Sequence, residues 1–348
     1  MDNRLGMAYH LTNQTMRTVF YSGLWQLTNR LTPRGPQEVK DRPRPKGTVP
    51  SLRRLFEDLM QFLVRDATLV RDGILPPIDN QSDPFLTTLN RIQKMFRDLP
   101  NSNERRLNRD GQEVSRDIPQ GDLPDYFVQN FHYQTGGYLT SESARLYDVQ
   151  VETLFLGSCN AMRRQALKPI AAHIKGRDQR KIVILDVACG TGRFLAQLLQ
   201  VYPRIAATGL DLSLPYLTEA KRYTQPLRAL PFIHASAEEI AVKSGSVDIV
   251  TCMFLFHELP PDVRRRVIAE LSRVLKPGGL LVFIDSLQLG DQPDYDGLLR
   301  AFPVRFHEPY YLNYIIDDLD DAFRTAGLVE AYTEPAFLSK VMVRRKAG

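Results

Sequence analysis

From Lys181 onward, short runs of branched apolar residues alternate with stretches of helical period, and this alternation limits the fold more than any other feature. Val183–Val187, Ala207–Leu210, Phe232–Ala235, Val247–Phe254 and Leu280–Asp285 read as strands, with helices in the gaps. The last two runs are almost wholly apolar, as central parallel strands covered on both faces must be. "PPDVRRRVIAELSRVL" reads as a helix, and the Pro and Gly of "KPGG" stop it. After Asp291 a less regular insertion runs to about Asn313. A helix through "DDLDDAFRTAGL" follows, then two strand-like stretches, "VEAYTEP" and "LSKVMVRRK". The sum is an α/β, doubly wound, mostly parallel sheet of seven strands.

A sheet of this kind takes its ligand at the carboxyl ends of its strands, where the strand order reverses. "DVACGTG", Asp186 to Gly192, follows the first strand and falls at that place. Its glycines allow close approach of a ligand, and the next helix offers unpaired N–H groups. A Walker phosphate loop is excluded, because no Lys-Ser/Thr pair follows the glycines. A dinucleotide fingerprint requires a third glycine where Leu195 stands. A second acid, Asp211, ends the next strand in "ATGLDLS". A carboxylate there can accept both hydroxyls of a ribose, a group common to nicotinamide dinucleotides and S-adenosylmethionine.

"LDVACGTGRFL", "GLDLS", "ASAEEI", "SVDIVTCMFLFHEL" and "LSRVLKPGGLLVFID" occur in this order. In order and spacing they resemble class I S-adenosylmethionine-dependent methyltransferases, most of all the small-molecule branch that includes ubiquinone and menaquinone biosynthesis. The resemblance runs from Lys181 to Leu287 and implies a Rossmann-like fold with S-adenosylmethionine as cofactor. By the same resemblance Ala188, Gly190 and Gly192 line the methionine part, and Asp186 anchors the turn or the ammonium group. Asp211 holds the ribose and Leu212 packs beside the adenine, with Ser236, Ala237 and Met253 completing the site. Ala188 stands where the family often has glycine, and Ser236 where it often has an acid.

"FLFHELPP" follows the fourth strand, which places His257 and Glu258 near the cleft. His257 titrates near neutral pH and is the candidate catalytic base for a hydroxyl acceptor; its alternative is an oriented structural histidine. The Asn/Asp-Pro-Pro-aromatic motif of amino-methylating DNA enzymes is missing here, and no proline precedes Cys252 as in covalent pyrimidine methylation. Aromatic residues flank the core, among them Phe131, Tyr133, Tyr138 and Tyr147 before it and Phe302, Phe306, Tyr310, Tyr311 and Tyr314 after it. Tyr133, Tyr147, His257, Tyr310 and Tyr311 are the candidate substrate contacts, with His132 or His307 as an added polar group. Cys159, Cys189 and Cys252 lack ligand spacing, so reduced buried thiols are expected and no metal site is read.

Residues 1–140 read as a helical extension, and 141–348 as the methyltransferase domain. Met16, Phe20, Leu24, Leu27 and Leu31 fall at helical spacing, as do Leu52, Leu55, Phe56, Leu59 and Leu63. A third helix opens at "SDPFLTTLNRIQKMF", with Asp83 as its N-cap and Pro84 at its first position. "LPNSNERRLNRDGQEVSRDIPQGDLP" has no period and reads as a long loop. Between Arg30 and Arg54 eight basic residues face two acids, Glu38 and Asp41. This segment, with a Pro-rich linker at about 32–50, is a solvated connector or an electrostatic dock on an anionic surface, either membrane or nucleic acid. No run approaches the roughly 20 apolar residues of a membrane span, and a cytoplasmic protein is expected. The expected function is O- or C-methylation of a small apolar or aromatic molecule, with nucleic acid an unexpected partner and the oligomeric state unread. A methyltransferase acting on a macromolecule and a non-catalytic cofactor-binding scaffold are the alternatives.

Overall fold

A computed structural model describes residues 3–33, 47–77, 83–117, 121 and 123–348. Seven strands form one sheet: β1 (Val183–Val187), β2 (Ala206–Asp211), β3 (Phe232–His234), β4 (Val247–Met253), β5 (Leu275–Ser286), β6 (Leu328–Ala336) and β7 (Ser339–Lys346). Their order is β3-β2-β1-β4-β5-β7-β6. The first five run parallel, and β7 is antiparallel to both β5 and β6. The order reverses between β1 and β4, so the ends of β1, β2 and β4 open on one crevice.

Every residue of β4 is buried, and alternate positions feed opposite faces. Ile184, Ile249, Val282 and Ile284 join one core; Leu185, Val250, Leu281 and Phe283 join the other. The first core also takes Leu59, Phe62 and Leu63 from the helix Leu52–Arg71. At about 1.5–3 kcal/mol for each fully buried side chain of this size, these three contacts tie the extension firmly to the sheet. The helix before β5 ends at Val274, as "KPGG" predicts. Those four residues form a bulge in the strand: Val247 pairs with Leu275, and the next pair is Ile249 with Leu280. Gly278 bridges the bulge at φ +72°.

The N-terminal extension departs from the sequence expectation in three places. Asn3–Leu31 is helical, but Met16, Phe20, Leu27 and Leu31 point to solvent, Met16 being 62% exposed. Its buried side is a polar stripe of His10, Gln14, Thr18 and Ser22. The inward face is set by Asp66, a wholly buried carboxylate that contacts His10 Nε2 at 2.7 Å, Arg164 Nε at 3.1 Å and Gln165 Nε2 at 2.8 Å. Asp83 caps no helix, for the helix Phe85–Asn108 starts after Pro84 without a side-chain cap. Three guanidinium groups claim its carboxylate instead: Arg91 at 3.0 Å, Arg193 at 3.0 Å and Arg222 at 3.2 Å. The expected loop after Leu99 is helical through Pro100 to Asn108, and Glu113–Asp117 adds a short turn of helix. Arg105 holds this end in place, donating from Nε to the Tyr133 carbonyl at 3.0 Å and from Nη1 to Glu113 at 2.9 Å.

The helix Ser141–Leu154 begins where expected, with Thr140 accepting the N–H of Ser143 at 3.2 Å. Within the insertion after Asp291, Asp296–Arg305 and Tyr311–Tyr314 are helical. All three cysteines are buried thiols, and burial pushes Cys159 up to about 12. Residues 34–46 of the basic segment lie outside the described residues, and its C-terminal end pairs Arg53 with Glu57 and Arg54 with Asp58. Among the described residues, no helix is long and apolar enough to cross a membrane.

Candidate functional site

The turn after β1 is built from left-handed residues, with Ala188 at φ +56°, Gly190 at +53° and Gly192 at +77°. Ala188 adopts this conformation in spite of its Cβ. The turn is tied to β2 through Asp211, whose Oδ2 accepts the Gly190 N–H at 2.8 Å while Oδ1 accepts the Ser213 N–H at 2.8 Å. Burial raises the Asp211 carboxyl to about 6 against the pull of these two donors. Asp186 lies deeper. Thr251 donates to its Oδ1 at 2.5 Å, and burial, with a smaller push from Asp211, raises it to about 7. Gly192 starts the helix Arg193–Val201, where a Cβ would stand 3.0 Å from that of Ala220. Asp186 and Gly192 therefore shape the turn from behind.

Ala188, Gly190, Asp211, Leu212, Ser236, Ala237 and Met253, seven of the residues expected at the cofactor, line one cavity in front of it. That cavity measures about 110 Å³, below the roughly 300–1,000 Å³ of a typical ligand pocket. Two tyrosines from the extension close it: Tyr126 donates to Glu238 at 2.5 Å, and the Tyr138 hydroxyl donates to Glu258. The wall fits an adenosyl sulfonium compound. Asp211 has lone pairs left for two ribose hydroxyls, no atom would lie within 4 Å of a Cβ at Gly190, and Leu212 and Met253 give an apolar slot.

A larger cavity of about 460 Å³ adjoins it. Trp25, Leu55, Phe56 and Leu99 come from the extension, and Leu299 and Phe302 from the insertion. The two cavities share three side chains, Tyr147, Phe254 and Glu258. Phe254, directly after β4, is held at φ +54° by its N–H bond to the Ile284 carbonyl at 2.8 Å. A bulky residue in this region of backbone space is strained, and such strain clusters at functional sites. Of the expected substrate contacts, Tyr147, His257 and Tyr311 line the larger cavity. Tyr133 packs instead on the His307 ring at 5.6 Å, and Tyr310 joins the cluster of Phe131, Tyr138 and Tyr216. His307 is turned toward Gln129 at 2.7 Å.

The polar wall of this cavity centres on His257. Its Nδ1 contacts Asp285 Oδ1 at 2.5 Å, and its Nε2 lies 3.8 Å from Glu258 Oε1. Asp285 also accepts the N–H groups of Leu255 at 3.1 Å and Phe256 at 2.7 Å, which fixes the loop that carries the histidine. Burial alone would lower the His257 pKa, but the Asp285 carboxylate overrides it and raises it to about 9. His132 approaches the same Glu258 oxygen, at 3.8 Å, and lies 3.0 Å from Glu308. Burial opposes its charge too, yet these carboxylates hold it up to about 10. Sequence reasoning passed over Asp285, Glu308, Phe254 and Tyr126. Asp285 carries the same signal as Asp186 and Asp211, an acid ending an apolar strand; Glu308 carries none.

Residues 184–279 match the family model for a methyltransferase domain. Over 113 residues the chain is 31% identical to a tRNA N(3)-methylcytidine methyltransferase of Schizosaccharomyces pombe, covering 31% of this chain and 46% of the relative. Over 105 residues it is 34% identical to the demethylmenaquinone methyltransferase of Staphylococcus aureus, covering 30% of this chain and 43% of the relative. The match thus spans less than half the length of either relative. A solved magnesium protoporphyrin IX methyltransferase from Synechocystis aligns over 53% of this chain and 79% of its own, at 14% identity and a TM-score of 0.39. The chain carries a methyltransferase domain of the class I type. One relative is named for a tRNA nucleoside and the other for a quinone precursor, so these likenesses leave the acceptor class open.

Proposed function

We propose that this chain, with its methyltransferase domain at residues 184–279, transfers a methyl group from S-adenosylmethionine to a small apolar or aromatic molecule held in the larger cavity. The observation that carries the reading is the meeting of the two cavities at Tyr147, Phe254 and Glu258. A cofactor bound through Asp211 in the smaller cavity would direct its sulfonium methyl group, the electrophile of the reaction, toward that junction.

The chain's own contribution is chiefly alignment and the exclusion of water. Apolar walls contributed by the N-terminal helices hold the acceptor in line, and such positioning is worth about 7–11 kcal/mol in favourable systems. His257 is fixed at Nδ1 by Asp285 and presents Nε2 to the cavity, the position from which a proton of a hydroxyl acceptor could be taken. Asp285 favours its protonated form, raising its pKa to about 9. The positive charge of a bound cofactor would oppose that proton and shift His257 toward its neutral, proton-accepting form.

The test is incubation of the full chain with methyl-labelled cofactor and fractionated cell extracts. Label in a lipid or small polar fraction is expected. Label in RNA or protein alone would replace this reading with its rival, a macromolecular acceptor, which the likeness to a tRNA methyltransferase favours. Binding of S-adenosylhomocysteine without transfer to any fraction would leave a scaffold.

A further inference from the structure

Three segments far apart in sequence meet beside the cavity junction. The turn Phe131–Tyr133 supplies His132, the turn after β4 supplies Glu258, and the stretch after Asp296–Arg305 supplies Glu308. The backbone fixes the meeting: the His132 N–H donates to the His307 carbonyl at 3.2 Å. His132 and Tyr133 both sit at positive φ, 55° and 59°, a conformation that costs side-chain-bearing residues about 1–3 kcal/mol each. It brings His132 Nε2 to 3.0 Å from Glu308 Oε1 and 3.8 Å from Glu258 Oε1. One donor atom from each residue lies within 4.8 Å of the other two. Ligands bound at about 2.0–2.2 Å to a first-row dication stand roughly 3–4 Å apart, so this spacing closes on an ion after small side-chain shifts.

Glu308 gives the second observation. Its side chain is 0% exposed, and neither carboxylate oxygen accepts a hydrogen bond. The His132 imidazole, 3.0 Å from Oε1, is the charge that faces it, and the buried carboxylate keeps acceptor lone pairs to spare. Glu258, Glu308 and Asp285 place three carboxylates around two imidazoles, His132 and His257. A dication among them would offset this excess of acid groups over imidazoles.

We propose that His132, Glu258 and Glu308 bind one divalent first-row cation, Zn²⁺ or Mn²⁺, at the wall of the larger cavity. One imidazole and two carboxylates leave coordination positions open, the arrangement of an ion that works on a ligand. His132 and Glu258 line the space assigned to the methyl acceptor, where the ion would hold an acceptor oxygen and favour its ionised form. This last role rests on the proposed function; binding of the ion does not.

The experiment is titration of the chelator-treated full chain with Zn²⁺ and with Mn²⁺ by calorimetry, with elemental analysis after dialysis. One equivalent is expected, and bound Mn²⁺ should show spin-resonance coupling to a single imidazole nitrogen. Glu308→Gln and His132→Ala should each weaken binding about ten-fold or more, with circular dichroism reporting the fold. The spin-resonance signal needs no variant and stands if either fails to fold. Wild-type protein that takes up neither ion, or Mn²⁺ bound without nitrogen coupling, overturns the proposal. S-adenosylhomocysteine is titrated in parallel: its binding without metal uptake sinks only the metal site, and the reverse sinks only the cofactor reading.

Discussion

Arg193 Nε donates to Asp148 Oδ2 at 2.8 Å, and this bond joins the helix behind the cofactor turn to the helix Ser141–Leu154. The other oxygen of Asp148 accepts Thr191 Oγ1, within the turn itself, at 2.9 Å. Arg193 reaches on to Asp83 at 3.0 Å, and its guanidinium stacks 3.6 Å over Tyr223. The segments before the sheet thus hold the glycine turn in its shape. Asp148→Ala removes one of two carboxylates that face Arg193, with Asp83 remaining at 3.0 Å, and the expected loss of stability is about 1.5–3 kcal/mol. Urea unfolding followed by circular dichroism measures it; a loss below 1 kcal/mol would mark the pair as a surface-like contact.

Asp211 is the ribose ligand in this account. Asp211→Ala should weaken S-adenosylhomocysteine binding by at least ten-fold, since a hydrogen bond to a charged group contributes about 1.5–3 kcal/mol. Calorimetry reads the affinity directly. Unchanged affinity in a folded variant would remove the assignment.

At about 110 Å³ the smaller cavity is small for an adenosyl group, and Tyr126, bonded to Glu238, is one of the two tyrosines that close it. If the cofactor enters past Tyr126, that bond must part. Tyr126→Phe should raise the association rate of S-adenosylhomocysteine about three- to ten-fold, somewhat less than the full strength of a charged hydrogen bond. Stopped-flow fluorescence checks this, and equal rates would mean that the cofactor enters elsewhere.

Sequence periodicity located the sheet well because parallel strands covered on both faces must be nearly continuous apolar runs. β1 spans Val183–Val187 as read, and β4 stops one residue short of the expected Phe254. The wall of the smaller cavity was legible through the family resemblance and the strand ends: Ala188, Gly190, Asp211 and Met253 lie at strand ends and one local turn. The inward face of Asn3–Leu31 was not, because a buried carboxylate 56 residues from His10 decides it. Asp83 follows the same logic, having the local signature of a cap but a partner 110 residues away in Arg193. Glu308 sits in an aromatic stretch where an acid looks solvated, and only the contact with His132 shows its burial. Periodicity and turn chemistry report local choices; the larger cavity is assembled from long-range ones.

Asp66 gives a pH dependence with a definite sign. Burial would raise its pKa, but Arg164 and the His10 contact outweigh burial and hold the carboxyl below its ordinary value. A carboxyl depressed in the fold adds stability above its unfolded pKa of about 3.9, and that stability is lost as pH falls through the folded value. The difference in unfolding free energy between wild type and Asp66→Asn should be flat from neutral pH down to about 4 and shrink below it. Denaturant melts across that range are the measurement, and a difference that grows on acidification would reverse the assignment.

The central claim is that an adenosyl cofactor sits against Asp211 with its sulfur turned to the gap between the two cavities. A crystal structure of the full chain with S-adenosylhomocysteine tests it most directly. The account predicts ribose hydroxyls on the Asp211 carboxylate and the sulfur facing Tyr147, Phe254 and Glu258. Ligand bound at another surface, or with its sulfur turned away from those three side chains, would contradict it.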